Sequence, residues 1–552
     1  MSAFRYRLLF VGFSIVVLIL LFRMFSLAYF DREFLQARGS AIAERTIDVP
    51  TNRGIIYDRN GEPLALSIPV YSFWTDPGFD TISDEDIPAL AQALDVSEER
   101  LRTVLYNGRN TRFVYLKRRA SREIADAVEA LKVKGVRFEI EYRRYYPTAE
   151  VASHIVGIAN SDGIGIEGLE AAHEKQLRGS PGKRRILRGR DGRRLRDIEL
   201  AEPPVFGQDV TTTVDLGLQY LAYRHLRTAV EENDALSASA VVVEVSSGQI
   251  LAMANYPTFN PNDSSDRVPA RMRNRVIKDA YEPGSTVKPF SAIAAMESGK
   301  FQPDTEVSTS PGSFHVGDKL IEDPRDYGTL TLKMVLVKSS QVGIAKIALD
   351  LEHHAIYDVL SRVGFNEVPF CGLPNETPGI LRADDLEREI GRATFAFGYG
   401  MTVSPLQLAK AYLTIATGGK RRAVTIVKDP TRRLPRDVQV LDPEQVASVM
   451  DMLRSVTAWP GTAPKAAIDG FSVAGKTGTV RKVKDGEYDE NLHIAWFVGI
   501  TPVEDPRFVT VVVVNEPKGE TVSGGGVAAP IFARLTSHAL QLIPPDYVAQ
   551  GR

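Results

Sequence analysis

Three short stretches bring hydroxyl and amine side chains to spacings at which one activates the other. Ser285 and Lys288 stand three residues apart in YEPGSTVKPF, Ser339, Ser340 and Gln341 follow in VKSSQVGIAKIAL, and Lys476, Thr477 and Gly478 lie in GFSVAGKTGTV. A serine hydroxyl is a weak nucleophile until a base takes its proton, and a lysine serves as that base only when its amine is neutral. Free lysine titrates near pH 10.4, so its charged form must be destabilised by about 4 kcal/mol to work near pH 7. Burial and a neighbouring cation such as Lys476 supply that pressure. The chemistry indicated is acyl transfer through a serine ester.

The third stretch has a competing reading, because Gly470 to Thr477 also satisfies the phosphate-cradling pattern G-x-x-x-x-G-K-[ST]. A phosphate loop needs a strand before its first glycine and a helix opening at its Lys-Thr. Upstream, AWPGTAPKAAID is broken by Pro460 and Pro464, and downstream come Gly478 and Asp485-Gly486. Phe471 and Val473 alternate with Ser472 and Ala474, which predicts a strand. The apolar run 511–514 ahead of Glu516 is explained by a buried strand rather than by a second nucleotide element. The spacing S-x-x-K is itself weak, since Ser180 and Lys183 match it too. Ser180 sits in Gly-Ser-Pro-Gly, whereas Ser285 follows Pro283-Gly284 and opens the apolar helical run FSAIAAME. At a helix start, residues three apart share a face and the N-terminus favours developing negative charge. Ser264 to Asp266 and Gly398-Tyr399-Gly400 are read as turns.

Elements able to hold these residues are legible along the chain. Its 552 residues are too many for one ordinary core, and 44% hydrophobic with 25% charged residues is a globular composition. A net charge of -2 gives no electrostatic case for nucleic acid, and the basic run GKRRILRGRDGRRLR (182–196) reads as solvated loop or partner surface. The single Cys371 excludes an internal disulfide and a cysteine metal cluster. His353 and His354 diverge as neighbours and suggest no metal. LLFVGFSIVVLILLFRMFSLAYF (8–30) is long enough as a helix, about 35 Å, to cross a hydrocarbon core of about 30 Å. Its length and bulky end favour an uncleaved anchor over a signal peptide cut near Ala28.

Beyond the anchor, residues 44–66 alternate β-rich runs with the turn Arg59-Asn60-Gly61, and 82–94 and 121–132 show helical spacing. Region 178–208, rich in Gly, Arg and Pro, reads as loop and as the boundary to a second domain. There Asp215 caps a helix to about 231, SAVVVEV and QILAMAN form a hairpin at Ser247-Gly248, and 493–501 pairs with 507–516. A closing helix over 529–543 completes an antiparallel sheet with helices packed on it, an α+β class.

The ordered set Ser285/Lys288, Ser339-Ser340-Gln341 and Lys476-Thr477-Gly478 resembles the motifs of penicillin-binding proteins and serine β-lactamases. NRVIKDAYEPGSTVKPF, FAFGYGMTVSPLQLAKAYLTIATGG and VAGKTGTVRKV resemble the class B penicillin-binding proteins. RGIIYDRNGEPLA and RRYYPTAEVASHIVGI resemble that class's non-catalytic pedestal. YEPGST and KTGTVRK with Lys482 are most similar to the cell-division branch, with the elongation branch as runner-up. The branch usually carries Asn where this chain has Gln341, whose extra methylene re-aims the amide.

The resemblance implies an anchor over 1–30, a pedestal over 31–205, a transpeptidase domain over 206–545 and a tail over 546–552. It implies that Ser285 attacks the D-Ala-D-Ala bond of a peptidoglycan stem with Lys288 as base, Ser339 as proton relay and Gln341 holding the donor's amide. Lys476, Thr477 and Thr479 receive the terminal carboxylate, Gly478 allows close approach, and the N–H groups of Ser285 and Thr479 form the oxyanion hole. It further implies inhibition by β-lactams, no metal or organic cofactor, and an inner-membrane enzyme with a cytoplasmic N-terminus and periplasmic catalytic domain at the septum. Implied partners are donor and acceptor stem peptides, divisome proteins and a membrane glycan polymerase of the shape, elongation, division and sporulation family. The competing roles are an elongation transpeptidase and a catalytically impaired divisome scaffold; a β-lactamase, a β-lactam sensor and a carboxypeptidase fit the chain's layout less well.

Overall fold

An apolar stretch without a polar face has nothing to pack against in water, and the first element is of that kind. The computed structural model describes residues 3–33, 44–49, 51–78, 80–111, 113–188, 194–428, 434–484 and 486–543. Helix α1 (Ala3–Tyr29) runs unbroken through Ser26-Leu27-Ala28, and its candidate span Phe4–Tyr29 has a mean hydropathy of 2.7 with none of it buried. Its 27 residues reach about 40 Å, enough to cross a bilayer.

The remaining chain divides into two compact units, one of 1–53, 67–143 and 178–207, the other of 54–66, 144–177 and 208–552. The division is therefore not a single cut near residue 205. In the first unit β1 (Glu44–Val49) is followed by the part of β2 (Pro63–Thr75) from Ser67 onward, α2 (Ile87–Ala93), α3 (Glu98–Gly108), β3 (Val114–Ala120) and α4 (Arg122–Leu131). Ser97 and Ser121 cap α3 and α4 by accepting from Arg100 N and Ile124 N. Phe73, Leu90, Leu94, Leu101, Leu116 and Val128 form the core.

The expected loop over 178–208 is instead mostly strand. β4 (Gly182–Arg188) pairs with β1 on one side and with β5 (Arg194–Glu202) on the other, all antiparallel. Arginine and lysine stems can line a sheet while their charges stay in water, and alternation within KRRILR buries Ile186. Residues 189–193 of the basic run and the tail expected over 546–552 lie outside the described residues.

In the second unit, α5 (Leu216–Glu232) starts at Asp215, whose carboxylate accepts Leu218 N at 2.9 Å. Asp58 accepts Leu216 N at 3.2 Å, so the segment carrying Arg59-Asn60-Gly61 docks on the same helix start. A five-stranded antiparallel sheet follows the order β7-β6-β10-β9-β8, from β6 (Ser237–Glu244), β7 (Ile250–Tyr256), β8 (Ala474–Lys484), β9 (Glu487–Thr501) and β10 (Phe508–Asn515). Every residue of β10 is buried, which is why it reads as an unbroken apolar run. One face is covered by α5 and α11 (Ala528–Leu542); toward the other pack α6 (Lys288–Glu297), α7 (Leu332–Lys338), α8 (Gln341–Asp350), α9 (Pro405–Ala416) and α10 (Pro443–Thr457).

Candidate active site

Ser285 lies in one 3₁₀ turn, Gly284–Val287, that runs directly into α6. The turn is over-determined by its neighbours. Gly284 has φ +55°, a Cβ there would fall 2.5 Å from Val480 Cγ2, and its N–H donates to Gly398 O at 3.3 Å. Thr286 Oγ1 donates to Pro283 O at 2.9 Å, and Tyr412 Oη, from α9, donates to Thr286 O at 2.8 Å. Ser285 itself stays partly exposed.

Lys288, the first residue of α6, is wholly buried. Its Nζ donates to Ser339 O at 2.6 Å and meets Ser339 Oγ at 3.3 Å, while Lys476 Nζ reaches the same Oγ at 3.0 Å and Thr477 O at 3.2 Å. Two ammonium groups thus converge on one hydroxyl. The hydrogen bonds of Lys288 go to Ser339 rather than to Ser285 Oγ, the contact expected from spacing alone. Burial and then the Lys476 charge push Lys288 well below the ordinary lysine range, with Asp323 pulling the other way. Burial alone pushes Lys476 down to about 7.

Ser339 closes α7 in the left-handed region at φ +56°, which turns its carbonyl toward Lys288. Ser340 then caps α8, accepting Gly343 N at 2.8 Å. Asp323, only 8% exposed, holds the start of α8: it accepts from Ser340 Oγ at 2.5 Å and from Gln341 N at 2.5 Å. Gln341 is the first residue of α8, half-buried, and its amide has no hydrogen-bond partner among the described residues.

Lys476, Thr477 and Gly478 sit on β8, opposite Val498, Phe497 and Trp496 of β9. The strand leaves no place for a phosphate loop, since no helix opens at Lys476; Glu516 is occupied by an ion pair with Lys482. A Cβ at Gly478 would meet Pro283 O at 2.8 Å, so β8 lies against the turn that carries Ser285. Thr477 Oγ1 lies 3.1 Å from Thr462 Oγ1, and Thr479 Oγ1, on an exposed residue, accepts Gly524 N at 3.0 Å.

Several supporting residues escaped the motif reading. Asp323 and Thr462 lie in segments without periodicity, and Gly524 is signalled only by the run Gly524-Gly525-Gly526. Gly398 is more than a turn residue: a Cβ there would strike Gly284 O at 2.3 Å. The other candidates behave as expected. Asp266 accepts Asn260 N within an ordinary turn, Cys371 is buried with its thiol pushed up by burial, and His353 and His354 are exposed beside Glu387. No group of three or more metal-ligating side chains occurs among the described residues.

Comparison with known proteins agrees with this geometry. The penicillin binding protein transpeptidase domain matches residues 238–537, and the penicillin-binding protein dimerisation domain matches 48–212. Peptidoglycan D,D-transpeptidase FtsI of Escherichia coli K12 is 38% identical over 560 aligned residues, covering 100% of this chain and 94% of the relative. The transpeptidase domain of Burkholderia pseudomallei penicillin-binding protein 3 is 35% identical, with a TM-score of 0.55 over 61% of this chain and 97% of its own. Mycobacterium tuberculosis penicillin-binding protein 3 complexed with aztreonam is 25% identical, with a TM-score of 0.69 over 90% of this chain and 97% of its own. With both domain families matched in order and full-length identity to such an enzyme, the chain belongs to the class B penicillin-binding proteins, the peptidoglycan D,D-transpeptidases.

Proposed function

We propose that this protein crosslinks peptidoglycan stem peptides at the division septum through an acyl-enzyme on Ser285. The observation that carries the reading is the convergence of Lys288 and Lys476 on Ser339 Oγ, beside the turn that presents Ser285. A buried, destabilised ammonium at Lys288 gives up its proton readily, and the resulting neutral amine is the base the serine needs. Ser285 Oγ attacks the carbonyl carbon between the two D-alanines and passes its proton to Lys288. The oxyanion is received by the N–H groups of Ser285 and Thr479, donors typically worth about 10²–10³ in rate each.

The C–N bond then breaks, and the departing D-Ala amine takes the proton from Lys288 through Ser339. The amine of a second stem attacks the ester and loses a proton by the same route. The new amide forms, and Ser285 recovers its hydrogen. Lys476, with the Thr477 and Thr479 hydroxyls, holds the terminal carboxylate; Gln341, whose side-chain amide has no partner among the described residues, holds the donor's amide.

In this reading α1 anchors the chain in the inner membrane with its N-terminus in the cytoplasm and the catalytic unit in the periplasm. The partners are a membrane glycan polymerase of the shape, elongation, division and sporulation family and other divisome proteins. The division assignment is supported by the full-length similarity to FtsI.

Intact-mass and peptide-mapping analysis after incubation with benzylpenicillin, beside Ser285→Ala, tests the site. A penicilloyl adduct on the Ser285 peptide, absent from the variant, is expected. A folded protein that acquires none, or acquires it elsewhere, overturns the assignment.

A further inference from the structure

The second unit contains a cavity of about 560 Å³ whose lining includes Glu367, Phe370, Lys410, Arg421, Val424 and Arg436, none of them in the Ser285, Ser339 or Lys476 triplets. Small-molecule sites commonly enclose about 300–1,000 Å³. Lys410 projects from α9, a helix buried along its whole length, and is itself only 7% exposed. The influences on its ammonium are burial first, then the Arg421 charge, both disfavouring the charged form, with Glu367 and Glu376 opposing. Among the described residues no carboxylate lies within ion-pair distance of it, and no hydrogen-bond acceptor meets it.

Two of the nearby acids are taken by arginines. Glu367 takes Arg421 through two hydrogen bonds, one of 3.2 Å, and Asp437 takes Arg422, whose Nε lies 3.1 Å from both carboxylate oxygens. Glu376 accepts Cys371 N at 2.8 Å through Oε1, and its buried Oε2 has no hydrogen-bond partner among the described residues, yet it stays beyond ion-pair distance of Lys410. Burying a cation without a partner is expensive, and a group from solution that brings negative charge removes the cost. The mouth is apolar: Phe370 is 69% exposed and Val438 58%.

We propose that this cavity binds a small organic anion, its phosphate or carboxylate head on Lys410 and Arg421 and its apolar body against Phe370 and Val424. Such a site is separate from the motif residues and independent of the proposed acyl transfer. α9 carries Lys410 into the cavity and Tyr412 to the Thr286 carbonyl, so the two places share one rigid element.

Isothermal titration calorimetry on the detergent-solubilised full chain tests this with phenyl phosphate, benzoate and inorganic phosphate, and with benzyl alcohol as the uncharged counterpart. Phenyl phosphate or benzoate is expected to bind with a Kd of about 1 mM or tighter, and whichever is tighter identifies the head. Lys410→Met is expected to weaken binding at least about tenfold, an effect of about 1.4 kcal/mol, and Lys410→Arg to keep it within about threefold. Phe370→Asp, at an exposed position, sets a like charge at the mouth and is expected to weaken binding even if Lys410→Met fails to fold. The proposal is overturned if none of the three anions binds, if benzyl alcohol binds as well as they do, or if binding survives Lys410→Met or Phe370→Asp unchanged.

Discussion

The molecule buries lysines in two places and treats them differently. Lys288 and Lys476 are fully enclosed, yet each meets two protein oxygens, and both share Ser339. Lys410 is nearly as enclosed and meets no such acceptor among the described residues. At the first place, in the proposed mechanism, the pressure on the charged form is part of the chemistry, because it favours the neutral amine that serves as base. At the second, no hydrogen bond or ion pair among the described residues relieves it. Burial alone therefore does not mark a catalytic lysine; what separates the two is whether the fold supplies a path for the proton.

The largest contrast is expected in acylation. Lys288→Met should slow the reaction with benzylpenicillin by about 10²–10⁴, while Lys410→Met leaves the rate within about twofold, as followed by stopped-flow fluorescence. A comparable loss in a folded Lys410→Met protein would erase the distinction.

A pH profile sharpens it. Acylation at low inhibitor concentration requires Lys288 neutral and Lys476 charged, so it should fall as pH rises past about 7, where Lys476 loses its proton. A bound β-lactam carboxylate favours the charged form of Lys476, so at saturation the alkaline limb should move to higher pH. In Lys476→Met the alkaline limb should vanish, and the acid limb should move up because Lys288 loses its cationic neighbour. Lys410→Met should leave both limbs in place.

Stability separates the sites next. Asp323→Asn removes a charged acceptor from Ser340 and Gln341 N, and should cost about 1.5–3 kcal/mol in denaturant unfolding. Lys410→Met should instead stabilise by about 1–2 kcal/mol near neutral pH, because an unpartnered buried ammonium is replaced by an apolar chain of similar length. The folded-state pKa of Lys410 lies below its unfolded value, so wild-type stability rises with pH between the two, and this advantage of the variant should shrink there. The smallest effect is expected for Gln341→Asn, a change below about tenfold in kcat/KM with a D-Ala-D-Ala peptide and within about 0.5 kcal/mol in stability.

The residues of the proposed catalytic set could be placed on their elements because they sit where local rules are strong. Ser285 and Lys288 open a helix after Pro-Gly, and Lys476 to Gly478 fall in an alternating strand. The hairpin at Ser247-Gly248 and the helix capped by Asp215 followed from the same local signals. Asp323 was not readable, because its role depends on a tertiary meeting with the junction of α7 and α8 that no spacing announces. The strands β4 and β5 read as loop because their Arg and Lys residues mask β propensity. Lys410 draws no notice in the sequence, which shows neither that α9 is buried all round nor that a cavity opens beside it.

Ser339 is held at a backbone angle that an L-residue adopts at a cost of about 1 kcal/mol or more. A glycine there would relax the chain and strengthen the end of α7, while removing the hydroxyl on which both ammonium groups meet. The position is thus one where thermostability and turnover pull in opposite directions. Selection for a hardier fold alone would drive it toward glycine, and a library sorted only by melting temperature would enrich a well-folded, silent protein.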